Sequence, residues 1–215
     1  MDHDDLDATF GELRSLAHHT EGVGAHVWRD LLVSARPPAP EIYDARWRPY
    51  LERLELPTFV VGSAQEWDEL LACLPGGGVS MRFMGQADDD ALDAITESAL
   101  SVKVSELDLD GTQLGDAGVE RIAESGLPER LVALDLRSNG ITRGSMEVFT
   151  STRWPMLERL VLGSNDLDDL AVGILARRLE APRLAWLDLT GHAFGPRADR
   201  ELEGRAALSR VFVIK

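Results

Sequence analysis

The chain has 215 residues, within the range of one domain, and its 37 acidic residues against 22 basic ones leave a formal charge of −15. A field of that sign repels phosphate backbones, which argues against nucleic acid and anionic membrane surfaces and for a basic or Arg-containing protein partner. No apolar run approaches the ~18 residues of a membrane helix, and MDHDDLDATF carries neither part of a secretory signal, so a cytoplasmic location is expected.

Residues 1–57 are predicted to form helices. Leu6, Phe10, Leu13 and Leu16 share one face of a first helix, and Val27, Trp28, Leu31 and Leu32 mark a second, which the prolines of ARPPAP (35–40) terminate. A third carries Tyr43, Trp47, Tyr50, Leu51 and Leu54 and ends before Pro57. Phe59, Val60 and Val61 then read as a short strand. Ser63-Ala-Gln-Glu66 is a capping box that opens a helix bearing Trp67, Leu70, Leu71 and Leu74. The single cysteine, Cys73, lies in that apolar pattern as a small buried hydrophobe and has no partner for an internal disulfide. PGGG (75–78) ends the helix. Met81 and Phe83 predict the next strand, and the acidic run Asp88–Asp90 predicts the start of a helix with Leu92 and Ile95 on its inner face.

From Val104 one pattern is written four times: VSELDLDGTQL (104–114), LVALDLRSNGI (131–141), LERLVLGSNDL (157–167) and LAWLDLTGHAF (184–194). Their central leucines, Leu107, Leu134, Leu160 and Leu187, lie 27, 26 and 27 residues apart. Within each copy, leucines alternate with polar residues as on a strand. Beyond it, Val119 and Ile122, Met146 and Phe149, and Val172 and Leu175 recur three apart, as on one face of a helix. Each copy is thus a strand, a loop and a helix that cover each other, and neighbours bury those faces by stacking. Thr112, Asn139, Asn165 and His192 share one position at the strand end.

The pattern resembles the leucine-rich repeat of the ribonuclease-inhibitor type, through its period and the full helix in each unit. LGDAGVERIAES and LVALDLRSNGI look like ordinary members of that class. In the class that the pattern resembles, the side chain at the position of Thr112, Asn139, Asn165 and His192 turns inward and satisfies loop backbone groups. The resemblance implies an α/β solenoid, a right-handed β-α superhelix with a short curved parallel sheet inside and helices outside. The array is read as two degenerate repeats at 58–103, four regular repeats at 104–207 and a terminal strand at 208–215. The N-terminal helical segment at 1–57, which the resemblance does not cover, is read as a cap closing the first hydrophobic layer, with an independently functional helical region as the alternative. Seven parallel strands are expected near 58–62, 79–84, 105–110, 132–137, 158–163, 185–190 and 209–214. Leu208, Val211 and Val213 are taken as the L-x-x-L-x-L of the last. The class generally binds proteins, often along the concave sheet, and some members regulate small GTPases.

Alternation predicts the side chains on the open face of the sheet. One column reads Ser80, Glu106, Ala133, Arg159, Trp186, Arg210; the next Arg82, Asp108, Asp135, Val161, Asp188, Phe212; the third Met84, Asp110, Arg137, Gly163, Thr190, Ile214. Trp186 faces solvent where no core demands it, and a Trp beside an Arg is the composition of an interface hot spot, so Trp186, Arg159 and Asp188 are the expected contact centre. The alternative is that Trp186 packs on a neighbouring side chain or on the C-terminal strand. Asp135, Asp108, Arg137, Arg82 and Phe212 complete the candidate surface; Phe212, Ile214 and Met84 could alternatively mark self-association, although a monomer is favoured over a homodimer. The sequence lacks G-x-x-x-x-G-K-[ST], H-E-x-x-H, C-x-x-C and G-x-S-x-G, and adjacent His18 and His19 diverge on a helix. Asp166, Asp168 and Asp169 could attract a divalent cation, but helix capping by Asp168 or Asp169 is the nearer reading. The expectation is a non-catalytic protein-binding module without cofactor or metal. The alternative is a regulator acting in trans on a small GTPase or other enzyme, through Arg82, Arg137 or Arg159.

Overall fold

A computed structural model describes residues 59–73, 78–98, 101–203 and 212–214. The N-terminal helices expected in 1–57 and the side chain of Cys73 lie outside the described residues. Strands are β1 (Phe59–Val61), β2 (Val79–Phe83), β3 (Val104–Asp108), β4 (Ala133–Asp135), β5 (Arg159–Val161), β6 (Trp186–Asp188) and β7 (Phe212–Ile214). Helices are α1 (Ala64–Cys73), α2 (Asp89–Thr96), α3 (Gly115–Glu124), α4 (Gly144–Ser151), α5 (Asp169–Arg178) and α6 (Pro196–Glu203). The strands form one parallel sheet in chain order, and each helix packs against the next. No helix among the described residues is long and apolar enough to cross a membrane.

The register lines up the repeated leucines. Met81, Leu107, Leu134, Leu160, Leu187 and Val213 pair successively across the sheet, and the four leucines are 0–2% exposed. Facing them from the helices, Ile95, Val119, Ile122, Met146, Phe149, Val172 and Leu175 are equally inaccessible, so strand and helix faces close into one continuous core. Phe149 stacks on Trp154 with ring centroids 4.5 Å apart, and Trp154 donates its indole N–H to the Phe149 carbonyl at 3.0 Å. The ladder runs on past the formal strand ends: the N–H groups of Leu109, Leu136 and Leu162 donate to the carbonyls of Asp135, Val161 and Asp188.

The last strand departs from expectation. Its register pairs Trp186 with Phe212, Leu187 with Val213 and Asp188 with Ile214, so the leucine column ends on Val213, not Val211. Phe212 therefore continues the Arg159–Trp186 column, not the Asp188 column, and Ile214 follows Asp188 in place of Thr190. A two-residue slip leaves every side chain on the same face, so alternation alone could not detect it.

Loops between strand and helix follow one template. Gly111, Ser138, Ser164 and Gly191, each four residues after a central leucine, adopt positive φ of 55–80°. At Gly191 the space is closed as well, since an added Cβ would stand 2.6 Å from Ser164 Oγ. Helix starts are capped as the sequence implied: Asp88 accepts from Ala91 N–H and Asp168 from Ala171 N–H, at 3.0 and 2.8 Å. Ser63 Oγ accepts from Glu66 N–H, while the Glu66 carboxylate reaches back to Gly62 N–H. Asp116 and Asp169 hold the next repeat's loop, through Thr142 N–H and Gly195 N–H respectively. Burial works against the Asp116 charge, but hydrogen bonds from Ser145 and Thr142 outweigh it and hold the carboxyl below its ordinary range.

Candidate protein-binding face

Behind the sheet's open face runs a chain of side-chain hydrogen bonds. Asn139 Oδ1 accepts from Leu114 N–H and from the Thr112 hydroxyl, both at 3.0 Å, while its amide donates to the carbonyls of Leu109 and Arg137. Asn165 repeats the arrangement one unit on, with Oδ1 accepting from Asn139 and Ile141 N–H at 2.9 and 3.0 Å and Nδ2 donating to Leu136 and Leu162 carbonyls. His192 ends the series: Nε2 accepts from Asn165 N–H at 3.2 Å, so Nδ1 carries the proton and donates to the Leu189 carbonyl at 2.8 Å. Its ring stacks on Phe194 at 4.9 Å. The structural role expected of Thr112, Asn139, Asn165 and His192 is therefore in place.

The open face divides into side chains tied down within the sheet and side chains left exposed. Asp108, Asp135 and Asp188 each accept the backbone N–H two residues on, from Asp110, Arg137 and Thr190 at 2.9–3.0 Å, so the acidic row first ties down the strand ends. Arg82 pairs with Asp108 at 2.6 Å, and Arg137 reaches Asp188 at 3.1 Å. The second contact skips a repeat. Arg137 aligns with Gly163 and Thr190, so its guanidinium reaches Asp188 past the level of a residue that has no side chain. A Cβ at 163 would lie 3.0 Å from Thr190 Oγ1. Val161, though on the open side, is 4% exposed in this neighbourhood.

Asp188 is 8% exposed; burial disfavours its charge, yet hydrogen bonds from Thr190 and the Arg137 guanidinium outweigh this and hold the carboxyl below its ordinary range. Burial pushes the Asp135 carboxyl upward instead, with Asp108 adding to the shift against partial relief from Arg137. Of the expected contact centre, Asp188 is thus engaged beneath the surface, while Trp186, 37% exposed, and Arg159 remain outward on neighbouring strands in direct register. Phe212 lies beside Trp186 in the backbone register, its side chain outside the described residues. Met84, 59% exposed, is at the far end of the sheet. Sequence reasoning missed the Arg137–Asp188 strap and the division of labour it imposes; the only signal was the glycine at 163. Asp168 and Asp169, read as capping residues, are engaged with Ala171 and Gly195 N–H, and no group of three or more potential metal ligands occurs among the described residues.

The fold is that of a leucine-rich repeat solenoid: repeated strand–loop–helix units stack into a single parallel sheet with the helices on one side. The family described as Leucine Rich repeat matches residues 101–123, the first regular copy. Among solved structures, a chain in the crystal structure of the Rad7 and Elc1 complex in yeast is similar, with 20% identity and a TM-score of 0.51. The match covers 71% of this chain and 37% of that one, so this chain spans little more than a third of its neighbour's length. No curated protein matches the sequence.

Proposed function

We propose that this chain is a non-catalytic interaction module that binds a protein partner along the open, concave face of its sheet. The observation that carries the reading is Trp186: a large aromatic, 37% exposed on a sheet strand, beside the exposed Arg159 and above a fully buried leucine layer. Rigid backbone under an exposed Trp–Arg pair is the setting in which a few residues dominate binding. The similar chain belongs to a two-protein complex, which is consistent with a partner-binding role. Arg159 and Trp186 form the contact centre, Phe212 extends it, and Asp108, Asp188, Arg82 and Arg137 brace it. The net charge of −15 favours a partner that is basic or bears arginine.

Affinity capture from native lysate with wild type and Trp186→Ala side by side tests the reading. A protein retained by wild type and lost with the variant supports it; partners held equally by both would move the binding surface elsewhere. Acceleration of nucleotide hydrolysis by a captured GTPase would instead favour action in trans.

A further inference from the structure

Within the acidic column the three aspartates are neutralised unequally. Asp108 has Arg82 and Asp188 has Arg137, whereas Asp135 forms no ion pair with any described cation and accepts only the Arg137 N–H. Arg159, one strand over, is the converse case: it is exposed and forms no ion pair among the described residues. Ala133 is the register partner of Arg159, and Val161 that of Asp135. Both apolar residues are buried, 6% and 4% exposed, so they make a low floor between the two charges. Strand spacing and rise put the Asp135 and Arg159 Cα atoms roughly 8 Å apart. Opposite charges one helical turn apart, or two residues apart in a strand, have comparable separation.

We infer that Asp135 and Arg159 form a two-charge subsite for a protein segment that sets an arginine or lysine on Asp135 and a carboxylate on Arg159. The inference rests on the proposed binding role of the concave face and specifies the chemistry of its occupant. Two features favour it. The Asp135 charge is held at a cost of desolvation that a partner cation would relieve, and the Arg137 guanidinium, which offsets only part of that cost, makes its ion pair with Asp188 instead. The apolar floor and Trp186 at its edge supply contact area for the stem of the arriving side chains.

The test pans a random peptide display library against the full chain. Enriched peptides are then titrated by fluorescence polarisation against wild type, Asp135→Asn, Arg159→Gln and Trp186→Ala. Asn keeps the acceptor for Arg137 N–H, and thermal melts of each variant verify folding. The expected result is peptides bearing both a basic and an acidic residue, each variant of the pair weakening them about tenfold or more. Neutralising the peptide's basic residue should then cost nothing further on Asp135→Asn. Peptides that need Trp186 but bind both charge variants as well as wild type would overturn the inference and leave the binding face standing. Enrichment that is indifferent to Trp186, or none at all, would count against the face itself and take the inference with it. Should Asp135→Asn prove unfolded, the Arg159→Gln arm and the peptide's acidic residue decide the matter in the same way.

Discussion

Replacing Asn165 by alanine probes the internal ladder most directly. The substitution removes the Oδ1 that accepts the Asn139 and Ile141 N–H groups, at 2.9 and 3.0 Å, and the Nδ2 that serves the Leu136 and Leu162 carbonyls. All lie beside a residue that is 9% exposed, where water is a poor substitute. Each orphaned buried donor costs roughly 1–3 kcal/mol, and carbonyls with a second lone pair cost less, so the expected loss is roughly 3–5 kcal/mol. That is a large fraction of the ~5–15 kcal/mol that holds an ordinary domain together. Urea unfolding followed by circular dichroism gives the number from the shift in midpoint at constant slope. A loss below about 1 kcal/mol would refute the reasoning, because it would mean the loop amides find other partners and the ladder is incidental.

The series also predicts a gain: His192 offers one acceptor, to Asn165 N–H, whereas an asparagine placed like Asn165 would also reach Leu167 N–H, so His192→Asn should raise stability by up to about 1 kcal/mol, less the lost stacking on Phe194. A lower unfolding midpoint would show that ring packing outweighs the added bond. Trp186→Ala should leave the melting curve close to wild type and weaken a bound partner by roughly 2 kcal/mol, some thirtyfold, in a titration; full affinity would strike it from the contact centre. For Asp188 the folded carboxyl titrates below its ordinary range, so its ionised form adds stability that is complete above the unfolded pKa and disappears as pH falls through the depressed folded value. Asp188→Asn should therefore destabilise the chain at neutral pH and match wild type in strong acid, which paired denaturation curves across pH will show. Asp135 runs the opposite way: its raised carboxyl subtracts stability once ionised, so Asp135→Asn should be neutral or stabilising at neutral pH, with the difference vanishing in acid.

Most of the core was legible because two periods coexist in one repeat. Leu107, Leu134, Leu160 and Leu187 carry the strand period, and Val119, Ile122, Met146, Phe149, Val172 and Leu175 carry the helical one, so each element's buried face could be named before its neighbours were known. The strand-end position was legible too, since Asn139 and Asn165 recur where an amide that both donates and accepts is required. The terminal strand was not: Val211, Phe212, Val213 and Ile214 are all apolar, and an unbroken apolar run has no phase from which to read a register. Nor was the fate of Asp188 legible, because alternation assigns a side chain to a face and says nothing of an arginine two strands away that reaches it across a glycine.

The same strap explains why an acidic face need not be an acidic binding site. Asp108, Asp135 and Asp188 look equivalent in sequence, and each performs the same backbone task of closing the strand end two residues on. Carboxylates so employed recur with the repeat whatever the partner, and Val161 shows that the fold tolerates one omission. What distinguishes binding chemistry from scaffolding is the remaining charge after internal pairing. Arg82 and Arg137 cancel the outer two aspartates, leaving Asp135 on one strand, Arg159 on the next and Trp186 beyond it. Breaking the strap should therefore change recognition without touching the contact residues. With Arg137→Met, Asp188 loses its cation and the concave centre gains a second uncompensated carboxylate, so a basic peptide that binds wild type should bind the variant more tightly, by severalfold at low salt and less as ionic strength rises. The strap also stabilises the fold, so the variant should melt lower than wild type. An unchanged or weaker affinity, measured at a temperature where circular dichroism shows the variant folded, would show that Arg137 is itself a contact.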